Sequence, residues 1–126
     1  MINEIRDSIL FINPDNNNES IIFNLKSWIR IIEAIIEKYA NKTYEESRNM
    51  VLSSSLIKNL DLKNYHDLTF YSHETEYHWA MMIAYGNLYW KKGINSDEPE
   101  DFSEWENKFR KDHNLAEESF VFNELH

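Results

Sequence analysis

From Trp79 to Trp90 the chain reads Trp-Ala-Met-Met-Ile-Ala-Tyr-Gly-Asn-Leu-Tyr-Trp, with Asn87 as its only strongly polar side chain. A helix that is apolar on every side has to be buried on every side. The segment 73–92 is therefore predicted to be the central helix of the fold. Ser72 or Thr75 supplies its cap, and Lys91, Lys92 and Gly93 mark its end. Two lysines suit the negative end of a helix dipole, and glycine suits the left-handed stop.

Other helices are expected to pack around it. Leu25, Trp28, Ile29, Ile32, Ile35, Ile36 and Tyr39 follow the i, i+3, i+4, i+7 rule and predict an amphipathic helix over 24–41, with Arg30, Glu33 and Glu37 on its other faces. Thr43-Tyr44-Glu45-Glu46 has the spacing of a capping box and opens a helix to about Ile57. The spacing of Ile2, Ile5, Ile9 and Ile12 is helix-like, and Pro14 with the polar run Asp15–Ser20 ends that element in a loop. Ile21–Phe23 reads as a short strand or as the lead into the next helix. Ser103 is placed to cap a short helix through about His113, with Trp105, Phe109 and Phe102 inward. Residues 115–126 are ambiguous, and Ser119–Asn123 fits a strand or a helix end.

Only two glycines and two prolines occur in 126 residues, which leaves little material for tight hairpins. The expectation is a mainly α fold, a single domain over 1–126. It is a bundle of about five helices around the central one, with a possible short strand near the C-terminus.

Composition removes several classes of function. There is no cysteine, so disulfides, thiolate nucleophiles and iron–sulfur clusters are excluded. The N-terminus lacks a basic start followed by an apolar run. The apolar stretch of about 12 residues falls short of the roughly 20 needed to span a bilayer. A soluble, cytoplasmic protein without a membrane partner is expected.

Chemistry is sought first at the polar head of the apolar segment. His73-Glu74 with His78 has the composition of a zinc-protease helix but the wrong spacing. The two histidines are five apart and point about 140° away from each other on a helix. No metal, cofactor or catalytic residue is assigned. Glu74 and His78, four apart, share a stripe with Tyr85. They form either a general acid–base group or a polar network at a helix start in which His78 and Tyr85 satisfy each other. Ser53–Ser55 lacks a glycine elbow, and no glycine-rich phosphate loop is present. His113 suits a helix C-terminus, and His126 is terminal.

Charge is more informative. The net charge is −9 and lies unevenly. Residues 1–72 carry ten acids and eight bases, whereas 73–126 carry twelve acids and five bases. The short basic clusters Lys91-Lys92 and Arg110-Lys111 sit in the acidic half, so direct nucleic-acid binding is disfavoured. Asp97, Glu98, Glu100, Asp101, Glu104 and Glu106 place six carboxylates in ten residues without a base, with Phe102 and Trp105 between them. The alternating ligand spacing and central glycine of a calcium loop are missing. The cluster reads either as a solvated loop and helix start, or as a surface that attracts a basic partner and anchors it on an aromatic ring.

The stretch Tyr71–Trp90, with Trp105 behind it, resembles the small immunity proteins of bacterial polymorphic-toxin and contact-dependent inhibition systems. His73-Glu74-Thr75, Tyr77-His78-Trp79-Ala80-Met81, Gly86-Asn87 and Tyr89-Trp90 carry the resemblance, about a third of the chain. Related patterns have proline where this chain has Glu76. The resemblance implies a non-enzymatic protein that binds and neutralises the C-terminal toxin domain of a large secreted effector, frequently a basic nuclease. The expected partner surface is Asp97, Glu98, Glu100, Asp101, Phe102, Glu104, Trp105 and Glu106. The alternative is a small enzyme or ligand-binding domain with a pocket beside Glu74, His78 and Tyr85.

Overall fold

The asparagine-rich run closes a β-hairpin. In the computed structural model, which describes residues 5–60 and 62–124, strand β1 (Ile9–Ile12) pairs antiparallel with β2 (Glu19–Phe23). Asn13 Oδ1 accepts from the Asp15 amide at 2.9 Å and Asn16 Oδ1 from the Asn18 amide at 3.1 Å. These side chains make Asx turns, so the reversal needs no glycine. The helix-like spacing over 2–12 therefore ends in a strand from Ile9 onward; Ile2 lies outside the described residues. A third strand, β3 (Phe120–Glu124), pairs with the other edge of β2 and completes an antiparallel sheet of order β1-β2-β3.

Six helices accompany the sheet among the described residues: α1 (Leu25–Tyr39), α2 (Tyr44–Leu52), α3 (Ser55–Lys58), α4 (Tyr65–Ser72), α5 (Glu76–Tyr85) and α6 (Phe102–Asp112). The fold is thus a mixed α/β domain, and the expectation of a mainly α bundle is incorrect. Strand pairing between residues a hundred positions apart decided the outcome, and no local pattern encodes it.

The centre of the fold is α1, not 73–92. Its side chains from Ile31 to Ile36 are all buried, and it packs against α2, α5 and α6. Trp28, fully buried, meets Phe23 of β2 and Phe120 of β3 edge-on, at 5.4 and 6.1 Å between ring centroids. Ile9, Phe11, Ile21, Phe23 and Phe120 form the sheet's contribution to this core. Burial extends to Glu33, only 1% exposed, which the helical period alone assigns to an outer face.

The start of α1 is capped from a distance. Asn24 precedes the helix but makes no side-chain cap bond. Asp7 instead accepts from the Ser27 amide at 2.8 Å and from the Ser27 hydroxyl at 2.7 Å. Asn24 is left free to tie the strands' approaches together. Its Oδ1 accepts from the Ser8 amide at 2.9 Å, and its Nδ2 donates to the Glu118 carbonyl at 2.8 Å.

The apolar segment is divided in two. Thr75 caps α5 through the His78 amide at 3.1 Å, and the helix stops at Tyr85. Gly86 then has φ +94°, and Leu88 has φ +59°, so the backbone cannot continue as α-helix. A 3-10 turn over Tyr89–Lys92 follows, and Gly93 (φ +90°) closes it. The reversal folds Tyr89 back against α5. Elsewhere the Thr43 capping box is present, with Glu46 accepting from the Thr43 amide at 2.9 Å. No helix among the described residues is long and apolar enough to cross a membrane.

Candidate functional site

The six carboxylates of 97–106 do not share one fate. Asp97, Glu98, Glu100 and Glu104 are exposed, and the Asp97 amide is held by Asn95 Oδ1 at 2.9 Å. Asp101 is exposed but engaged. The Tyr39 hydroxyl donates to it at 3.1 Å, and Lys38 Nζ lies 3.3 Å away. Its partial desolvation alone would raise the carboxyl pKa, but these two donors outweigh it and hold the pKa below the ordinary value. The same contacts explain why Asp101 makes no side-chain cap for α6. Tyr39 responds in the opposite sense: burial, then the hydrogen bond to Asp101, push its hydroxyl pKa well up.

Phe102 is not a surface anchor. It is 4% exposed and sits in the core among Tyr39, Tyr77 and Trp105. Trp105 is half-buried, edge-on to Tyr39 at 5.6 Å, with the Lys38 ammonium 5.9 Å from its ring. Of the two aromatic residues in the acidic cluster, Trp105 alone keeps surface to offer.

Glu106 points the other way, into a cleft of about 400 Å³ between α6, the start of α5 and the approach to β3. Five carboxylates line this cleft, those of Glu74, Glu76, Glu106, Glu117 and Glu118, against one guanidinium, that of Arg110. Arg110 is 3% exposed and fully engaged. It reaches Glu106 Oε2 from Nε at 2.9 Å and from Nη2 at 2.8 Å, the Ala116 carbonyl at 3.0 Å and Ser119 Oγ at 3.2 Å. Glu76 Oε1 lies 3.6 Å from Nη2. Burial raises the Glu106 pKa, Arg110 opposes this, and the charges of Glu76 and Glu98 add to the upward push. Glu98 of the loop and Glu76 of the cleft thus both oppose ionisation of Glu106, although Glu98 does not line the cleft. Phe122, 59% exposed, also lines the cleft.

Glu76, Glu117 and Glu118 were not legible as part of this surface. The adjacent acids Glu117-Glu118 are visible in sequence, but only the β2–β3 pairing brings them beside α5 and α6.

No family model, curated protein or solved structure matches the chain.

The second candidate cluster is rearranged. Glu74 Oε2 and His78 Nε2 are 3.6 Å apart. The histidine's other nitrogen, Nδ1, is 2.9 Å from the hydroxyl of Tyr89, and Tyr85 is not its partner. Tyr85 instead offers its carbonyl to Lys92 Nζ at 2.9 Å. The imidazole also stacks on Trp90, 27° from parallel. The break at Gly86 brings Tyr89 to His78, since an unbroken helix would carry Tyr89 three turns beyond it, while Tyr85 stays two turns away on α5 itself. Burial, then the charge of Glu74, raises the Tyr89 hydroxyl pKa, which suits a structural donor better than an acid at neutral pH. Glu74 lines the acidic cleft, while His78 and Tyr85 do not. Among the described residues no three of His, Cys, Asp and Glu are grouped to hold a metal ion. The ring of His113 stacks on Phe109 at 4.0 Å, and His126 lies outside the described residues.

Proposed function

We propose that this chain is an immunity protein that neutralises a cognate toxin domain by stoichiometric binding, and that the toxin presents a basic surface. The supporting observation is a cleft lined by five carboxylates, those of Glu74, Glu76, Glu106, Glu117 and Glu118, on a chain that also exposes Glu98 and Glu100. Such a surface attracts cationic side chains over several ångströms and raises the rate of productive encounter. Phe122 lines the cleft and Trp105 lies among the acids of 97–106, each with partly exposed aromatic area, the residue type that anchors interfaces. A basic nuclease is the fitting partner class, because carboxylates spaced over a cleft compete with phosphates for the same lysines and arginines.

In this reading the protein is cytoplasmic, since an immunity protein acts where the toxin acts. It performs no chemistry of its own. Glu74, His78 and Tyr89 lock the start of α5 to the turn behind it, and Arg110 holds the floor of the cleft rigid so that its carboxylates are presented in fixed positions. The decisive experiment is co-expression with the toxin domain encoded beside this gene. Protection of the host and a co-purifying one-to-one complex support the reading; absence of both removes it.

A further inference from the structure

A second concavity lies elsewhere on the molecule, between the C-terminal end of α2, α3, the end of α4 and one side of α5. It is a groove of about 560 Å³, within the range typical of small-molecule sites. Its lining is neutral. In a chain with 28% charged residues, none of its twelve described lining residues is charged. Phe70, Tyr71 and Trp79 give it aromatic surface, and Phe70 remains 65% exposed.

Hydrogen bonds hold part of the groove's lining. Trp79 Nε1 donates to the Tyr71 carbonyl at 3.3 Å. Ser53 and Ser54 donate their hydroxyl protons to the carbonyls of Asn49 and Val51, both at 2.6 Å. These bonds set the rotamers of the rim. The side chains of Ser55, Asn59 and Asn87, all exposed at the groove's mouth, make no hydrogen bond within the protein among the described residues. Two amides and a hydroxyl beside an aromatic wall supply donors and acceptors in both senses. A charged ligand would lose hydration there and gain no counter-ion.

We propose that this groove binds an uncharged organic molecule with a flat apolar body and at least one amide or hydroxyl group. The body lies against Trp79 and Phe70, and the polar group is read by Ser55, Asn59 and Asn87. This site is separate from the acidic cleft, whose role stands or falls independently.

The test is a chemical-shift titration of the full chain at millimolar concentrations of indole-3-carboxamide and benzamide, each compared with its carboxylate analogue. The expected result is saturable shifts confined to the side-chain amides of Asn59 and Asn87, the Ser55 amide and the Trp79 indole N–H. Each carboxylate should bind about tenfold more weakly than its amide. Asn87→Asp, at an exposed position, should weaken the amides while leaving the melting temperature and circular dichroism unchanged. Three results overturn the proposal: no saturable shift with either amide, shifts scattered over the surface, or equal binding of amide and carboxylate. Concentration-dependent shifts of the same residues without any probe would overturn it too, by showing that a second copy of the chain fills the groove.

Discussion

Arg110 donates to Glu106 through both Nε and Nη2, at 2.9 and 2.8 Å, and so fixes a carboxylate at the floor of the acidic cleft. The same guanidinium bonds the Ala116 carbonyl and Ser119 Oγ, on the segment that leads into β3. One side chain therefore joins α6 to the sheet. Arg110→Ala would leave half-buried Glu106 without its partner, and such a loss costs about 1–3 kcal/mol. Urea unfolding should show it as a large fall in midpoint. Arg110→Lys should recover only part, because an ammonium cannot reproduce the planar fork. Equal stability of Arg110→Ala and the unaltered protein would refute this role.

Glu33 makes a prediction with the opposite sign. It is buried within α1, and desolvation raises its carboxyl pKa despite the nearby charges of Arg30 and Arg48. Its ionised form is thus disfavoured in the folded chain. A raised folded pKa means that stability falls as pH rises from the ordinary carboxylate value near 4.5 through the folded value. Glu33→Gln should raise the melting temperature at pH 7–8, and the gain should shrink as the pH is lowered toward that ordinary value. A lower melting temperature for Glu33→Gln at neutral pH would contradict the assignment.

The two tyrosines near His78 separate the structural from the chemical reading of that cluster. Tyr89→Phe removes the 2.9 Å contact to Nδ1 and should cost about 1 kcal/mol. Tyr85→Phe leaves His78 untouched and should be close to neutral. Thermal unfolding of the two variants decides between the partners, and a larger effect at Tyr85 would restore the helical-stripe arrangement.

What could be read from the sequence follows a physical division. α1 and the Thr43 capping box were legible, and Thr75 was one of two expected caps, because caps and helical periods are local; the stop expected at Gly93 falls instead at Gly86. The sheet was not. Scarcity of glycine argued against hairpins, but asparagine did much of the work glycine usually does. It builds the Asx turns after β1, and Asn41 and Asn114 take positive φ after α1 and α6. The central position of α1 was hidden by Glu33, whose charge suggested an outer face. Of the expected partner surface, Asp97, Glu98, Glu100, Asp101 and Glu104 are exposed. Phe102 and Glu106 turn inward, because Phe102 completes an aromatic cluster with Tyr39 and Tyr77 and Glu106 finds Arg110. The cleft's other half forms when the pairing of β3 with β2 brings Glu117 and Glu118 beside Glu76 of α5.

Under the proposed function, the acidic loop and cleft steer a basic toxin domain onto this chain. Stopped-flow association with the purified toxin domain over a range of salt concentrations measures that steering. Three variants at exposed positions are compared: Glu98→Lys with Glu100→Lys, Glu117→Lys with Glu118→Lys, and Glu45→Lys on α2 as a control outside the surface. Each paired variant should lower the on-rate at low salt about tenfold or more and flatten its salt dependence, while Glu45→Lys should have a much smaller effect. An on-rate that is unchanged in both paired variants, or that falls equally in the control, would contradict the account.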